Sequence, residues 1–214
     1  FIVVSGWLLA RDLKRGFWQS AGLLALCAGL LLLQPDFGFT LLFCLVWATQ
    51  IFLAGVPIVA LVPMALGGLT LLIGGYVGLS HVRSRIDRFL SPDGADTYQL
   101  DKAHEAIMSG GFTGRGPGEG IVKSTLPDAH TDFIFAVIAE EFGTIIALWL
   151  LMLFAWLCIR ALRRLYAQQD RFLLIAGGGL VMLIAFQVLI NTAVALGLIP
   201  TTGMTLPFMS YGGT

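Results

Sequence analysis

Phe37–Ser80, FGFTLLFCLVWATQIFLAGVPIVALVPMALGGLTLLIGGYVGLS, runs for 44 residues without a charged side chain. A membrane-spanning helix needs roughly 20 predominantly apolar residues, so this stretch is too long for one helix, and Gly55-Val56-Pro57 divides it into two. Working outward, Gly16–Pro35 is a further charge-free window of 20 residues. Phe133–Ile159 supplies a fourth span, with Glu140 and Glu141 inside it, and Phe172 to about Leu198 a fifth, ended by Pro200. Residues 1–10 read as the tail of a sixth. The expected fold is an all-α polytopic membrane protein, with residues 1–214 as a single transmembrane domain. The composition agrees, at 57% hydrophobic and 12% charged residues with a mean hydropathy of +0.86.

Charge sets the orientation. Two basic segments, Arg11/Lys14/Arg15 and Arg160/Arg163/Arg164/Arg171, are separated by four spans, an even number, so both face the same side. The positive-inside rule makes that side cytoplasmic. Residues 81–131 then form a large extracytoplasmic loop and residues 198–214 a second. The formal net charge is zero, which offers no general attraction to nucleic acid. Cys27, Cys44 and Cys158 all lie in apolar runs and read as small hydrophobes. His81, His104 and His130 lack the spacing of zinc ligands.

The polar chemistry gathers outside. Gln99–Ser109 places Leu100, Ala103, Ala106 and Ile107 at helical spacing, which fits a short amphipathic helix on the membrane surface or a solvated cap on the bundle. Gly110–Gly120, GGFTGRGPGEG, carries six glycines around Arg115. Its amides and guanidinium could converge on a phosphate, or the segment is a plain flexible turn. Next comes Asp128–Glu141, DAHTDFIFAVIAEE, which puts Asp132 where the loop becomes an apolar run. An acid in a helix's first turn gains about 0.3–1 kcal/mol from the macrodipole, so Asp132 and Asp128 read equally well as caps. At about 100° per residue, Ala136, Ala139 and Gly143 share the face of Asp132, a small-residue groove fit for a helix or a lipid chain. Glu140 falls near that face and Glu141 opposite. Both are ionisable groups inside a span, functional by default, or else protonated or paired with a basic residue of a neighbouring helix. Asp36 reads as a helix cap, and Gln187 with Asn191 as interhelical glue.

Five segments, in order, carry a resemblance: QPDFG at Gln34–Gly38, RSRIDRFLSPDG with YQ at Arg83–Gln99, SGGFTGRGPGEG at Ser109–Gly120, LPDAHTDFIFAVIAEEFG at Leu126–Gly143, and LIPTTGMTLPFMSYGG at Leu198–Gly213. With these in place the chain resembles the SEDS family of bacterial cell-wall polymerases (FtsW, RodA, SpoVE). GRGPGEG and LPDAH are closer to FtsW, the division member, than to RodA. The resemblance implies a ten-helix bundle with its large extracytoplasmic loop between helices seven and eight. This chain would run from the end of helix four to the loop after helix nine, without the first three helices or the last.

The resemblance also implies the chemistry. Family members are glycosyltransferases that join lipid II into glycan strands at the outer face of the bacterial cytoplasmic membrane, at the septum for the division branch, with undecaprenyl diphosphate leaving. Asp132 would be the general base on the acceptor hydroxyl. Arg115, Lys123, Arg83 and Arg88, with Mg²⁺ or Mn²⁺ on unassigned ligands, would neutralise the diphosphate. Glu140 would tune the base or line the lipid groove, and Gln99, His130, Thr131, Ser210 and Tyr211 would line the cavity. Expected partners are lipid II, the nascent strand, membrane lipid, a class B penicillin-binding transpeptidase and other division proteins. The rival readings are a lipid II flippase and a division scaffold.

Overall fold

The computed structural model describes residues 1–34, 36–57, 59, 61–78, 83–84, 87 and 95–211, except for the side chains of residues 37, 61, 63–65, 69, 71, 72, 75 and 95–97. Arg88 and parts of the two expected outer loops lie outside the described residues. The helices are α1 (Ile2–Arg11), α2 (Leu13–Leu33), α3 (Phe37–Leu53), α4 (Leu61–Gly78), α5 (Ala95–Gly110), α6 (Ile134–Ala167) and α7 (Leu173–Ala195). No strand occurs among the described residues. The protein is an all-α polytopic membrane protein. Among the described residues α2, α6 and α7 are long and apolar enough to cross a membrane, and α3 is a shorter apolar helix.

Local chemistry places the boundaries. The Asp12 carboxylate accepts from the amides of Lys14 and Arg15 and starts α2; Asp36 accepts from Phe39 N–H at 3.1 Å and starts α3, as its position beside Pro35 predicts. Asp170 caps the start of α7 through Phe172 N–H at 2.8 Å. Gly55, at φ 99°, makes the turn expected between α3 and α4. One boundary moves: α6 does not stop at Ile159 but continues to Ala167, so Arg160, Arg163 and Arg164 stand on a helix rather than in a loop. Arg, Ala and Leu are good helix formers, and cations suit a helix C-terminus.

The chain divides into two compact units. The first comprises Phe1–Leu79 and Trp156–Phe186. Its core joins Leu9, Trp47, Ile51, Ala54 and Ile175. Within it the fully buried Gln50 donates to the carbonyls of Ile2 (2.9 Å) and Ile175 (3.4 Å) and accepts from the Ser5 hydroxyl. Ile175 lies in a π-helical turn, Leu173–Gly177, whose widened backbone leaves that carbonyl reachable.

The second unit comprises Ser80–Ala155 and Gln187–Thr214 and holds every described candidate of the site. Its core joins Phe135, Ile138, Ala139, Ala147 and Ala195, with Ile107 of α5 packed against it. Ala103 and Ala106 are fully buried. The apolar stripe of α5 therefore packs on protein, and the cap reading holds over the membrane-surface one.

α6 is not one continuous helix. Gly143 sits at φ 87° and ψ 164°, which breaks it a few turns from its start. The glycine-rich segment 111–116 of the expected outer loop fills the break. Arg115 N–H donates to Glu140 O and Gly116 N–H to Glu141 O, each at 3.0 Å, while Thr144 N–H donates to Gly111 O at 3.0 Å and Ile145 N–H to Phe112 O at 3.4 Å. The carbonyls left open above the break and the amides left open below it are thus paired by one glycine-rich segment. Such pairing is what irregular backbone needs inside an apolar layer.

Two open readings narrow here. The amides of Gly114, Arg115 and Gly116 are already bonded to protein carbonyls, which takes them away from a phosphate. The groove expected along Ala136, Ala139 and Gly143 for a helix or a lipid chain receives a helix: the end of α5 lies in it. A Cβ placed on Gly110 would stand 2.0 Å from Ala139 O.

Gly143 combines a left-handed φ with contact to the loop backbone, a built Cβ lying 2.2 Å from Phe112 O. Gly143→Ala is expected to destabilise the protein by about 1–3 kcal/mol from backbone strain alone, with faster proteolysis within 111–120. Gly22→Ala, at a helical position with open space around it, should leave the thermal midpoint unchanged or slightly raised.

Candidate functional site

Asp132 lies two residues before α6, in a tight turn built on Asp128. Asp128 adopts φ 52°, and its carbonyl accepts from the amides of Thr131 (3.0 Å), Asp132 (3.1 Å) and Phe133 (3.3 Å). The turn pairs the three amides just before the helix. Neither carboxylate caps α6.

The segment after α7 holds this turn from the other side. Tyr211 N–H donates to His130 O at 2.8 Å, the Ser210 hydroxyl to Thr131 O at 2.6 Å, and the Asn191 amide to Asp132 O at 2.8 Å. The Ser210 oxygen also accepts from Leu206 N–H at 2.8 Å. Three consecutive carbonyls are therefore fixed, and the Asp132 carboxylate projects from a held backbone. Asp132 itself is half-buried and makes no side-chain hydrogen bond or ion pair among the described residues. Burial pushes its carboxyl above the usual carboxylate range, and the neighbouring Asp128 charge adds to the rise. Its Oδ2 faces Gly203, where a built Cβ would lie 3.9 Å away.

The two glutamates of α6 have different work. Glu140 is fully buried. One of its oxygens accepts from the amides of Ile121 and Val122, each at 2.8 Å, and the other from Lys123 N–H at 3.0 Å. Those three donors belong to the short 3₁₀ turn Val122–Ser124 and the residue before it. Glu141 forms an ion pair with the Lys123 ammonium. Glu140 is thus an anchor for the outer loop, not a lining or tuning group, and Lys123 is a partnered cation and not a free one. The sequence raised a basic partner for these acids, but on a neighbouring helix; the partner comes from the loop.

The remaining candidates separate. Arg115 is exposed, with Nε donating to Ser109 O at 3.2 Å. Arg83 pairs with Asp87 at 3.7 Å in an exposed i, i+4 contact, and Arg88 lies outside the described residues. His130 and Thr131 contribute backbone carbonyls to the strap, and the Tyr211 ring is exposed. Ser210 ties the strap together rather than facing a cavity. Gln99 sits half-buried on α5. Asn191, read from the sequence as interhelical glue, instead joins two loops. Among the described residues no three His, Cys, Asp or Glu side chains come together.

Residues 7–214 match the family model described as cell cycle protein, the FtsW/RodA/SpoVE group. The chain belongs to this family. It is 45% identical over its full length to a probable peptidoglycan glycosyltransferase FtsW of Caulobacter vibrioides, spanning 56% of that relative, and 36% identical to a protein of the same name, also given as probable, from Aliivibrio salmonicida, again over 56% of it. The chain thus spans about half the length of the curated relatives it matches. A solved chain from a peptidoglycan synthase complex that coordinates polymerisation and crosslinking superposes with a TM-score of 0.75 at 28% identity, covering 99% of this chain and 62% of that one.

Glu140→Gln places an amide nitrogen where one oxygen now accepts, and is expected to cost about 1.5–3 kcal/mol for each charge-assisted bond lost. The check is a lower thermal midpoint with increased deuterium uptake across 119–125. Asp132→Asn should behave oppositely. A carboxyl whose folded pKa is raised favours the fold most in its protonated form; that contribution is complete below the unfolded value of about 3.9 and is lost as pH rises through the folded one. At pH 7 the variant is therefore expected to melt at or above the wild-type temperature, with the gap closing below about pH 4.

Proposed function

We propose that the full-length protein is an inverting peptidoglycan glycosyltransferase that polymerises lipid II at the outer face of the bacterial cytoplasmic membrane during division, with Asp132 as general base. The observation that carries this reading is the state of that carboxylate: half-buried, raised in pKa, unpartnered among the described residues, and set on a backbone held at three carbonyls. Unlike Glu140 and Glu141, it has no structural task there. A base whose pKa moves toward the working pH is a better proton acceptor, and a fixed backbone limits its motion to the side-chain torsions.

The balance of the step is simple. Asp132 takes the proton of the acceptor sugar hydroxyl as that oxygen bonds to the anomeric carbon of the donor; the carbon–oxygen bond to diphosphate breaks, and undecaprenyl diphosphate leaves with the electron pair. The donor linkage is α and the product β, so one displacement suffices without a covalent enzyme intermediate. Arg115 is the candidate for charge on the leaving diphosphate, since its guanidinium is exposed and only Nε is engaged among the described residues. Lys123 is assigned to the loop. The names borne by the relatives support this activity. The solved relative's place in a complex that couples polymerisation to crosslinking supports pairing with a crosslinking partner, for which a class B penicillin-binding transpeptidase is the candidate.

The test uses full-length protein with its partner transpeptidase and labelled lipid II in a buffer containing a divalent cation. Asp132→Asn is expected to lower polymer formation by about 10²–10⁴-fold, the contribution of a positioned base, with partner binding unchanged. The wild-type rate should also fall as pH drops through the raised Asp132 pKa, because the base must be unprotonated. Equal polymer from both proteins would retire Asp132 as the base, and no polymer from the wild type would return the flippase and scaffold readings.

A further inference from the structure

Asn191 is buried to 1% exposure near the end of α7, and its amide nitrogen lies 2.8 Å from Asp132 O and 2.7 Å from Met204 O. Two carbonyl oxygens at those distances fix which end of the amide is nitrogen, since the flipped form would set oxygen against oxygen. The same orientation leaves the amide oxygen without a partner among the described residues. A buried, unpaired acceptor costs about 1–3 kcal/mol. A residue chosen for stability alone would avoid that cost; one chosen to present two N–H donors from a single planar nitrogen cannot.

The two carbonyls belong to the residue proposed as base and to the segment over it. Met204 follows Gly203, the residue opposite Asp132 Oδ2. One amide thus sets the separation between the backbone of Asp132 and the stretch facing its carboxylate. Ser210 and Tyr211 anchor the far end of that stretch to Thr131 and His130, but neither hydrogen-bonds to Asp132. Asn191 alone among these contacts bridges Asp132 to the residues facing it.

We propose that Asn191 is the positioning residue of Asp132, holding the carboxylate at a fixed distance from the Gly203–Met204 backbone so that an acceptor hydroxyl meets it in line. The proposal rests on the glycosyltransferase reading. Replacements separate volume from donors: Leu fills the space with no donor, and Ser offers one from a shorter reach.

The experiment compares full-length wild type, Asn191→Leu, Asn191→Ser and Asp132→Asn, each with the partner transpeptidase. It measures kcat and KM on lipid II, thermal midpoint, and deuterium uptake over 128–134 and 201–211. Misplacing a catalytic group by about 1 Å lowers turnover by up to about 10²-fold. Asn191→Leu is therefore expected to lose roughly 10- to 100-fold in kcat with KM near wild type and a modestly lowered thermal midpoint, since two carbonyls lose their donor while one orphan oxygen is removed, Asn191→Ser to fall between in kcat, and both peptides to exchange faster. Wild-type kcat in Asn191→Leu, beside an inactive Asp132→Asn, would overturn the positioning role and leave the base intact. A loss of kcat that disappears when the assay is run well below the thermal midpoints of both variants would also overturn it, marking Asn191 as structural. An inactive wild type would sink the glycosyltransferase reading, and unchanged exchange in both peptides would then sink the clamp independently.

Discussion

A helix broken inside an apolar layer exposes carbonyls on one side of the break and amides on the other, and the rest of the second unit is arranged around satisfying them at Gly143. The backbone of 111–116 does so with four hydrogen bonds, two in each direction. Unpaired backbone groups away from water are costly enough that such a break needs a dedicated partner. That requirement draws the outer loop down onto α6 and brings Gly110 against the backbone of Ala139. The same approach sets the loop's 3₁₀ turn beside Glu140.

Asp132, Glu140 and Glu141 lie close together in the chain and do three different things. Glu140, sealed from water, gathers backbone amides. Glu141, at the edge, gathers an ammonium. Asp132, outside the helix, gathers no partner among the described residues and keeps a raised pKa. The chemistry of the side chains is nearly the same; the environment assigns the roles. A catalytic base needs a carboxylate with reach to substrate and no competing partner, and of these three Asp132 alone meets both conditions.

The strap after α7 completes the arrangement without contributing an acid or base. Its proline- and glycine-rich chain cannot continue α7 as a helix, which frees Met204, Leu206, Ser210 and Tyr211 to bond within the strap and across to Asn191 and the 130–132 turn. Conformational multiplicity at the turn is thereby limited from two directions, by Asp128 within it and by the strap across it.

The sequence by itself determined the membrane class, the helix-forming runs, the turn at Gly55, the cap at Asp36 and the place of Asp132 at the edge of a span. All of these depend on hydropathy, local dihedral preference and near-neighbour hydrogen bonding, which are written in consecutive residues. Only the tertiary structure decided that α6 breaks at Gly143, that the backbone of the glycine loop serves the break, that Glu140 and Lys123 are structural, and that Asn191 reaches Asp132. Each of those depends on which distant donor meets which acceptor, from 13 residues away for Asn191 and Met204 to 59 for Asn191 and Asp132. A helical wheel assumes an unbroken helix, so it could not show that Gly143 ends one. A polar residue's type announces that it needs a partner, whereas the partner's identity is a property of the folded chain.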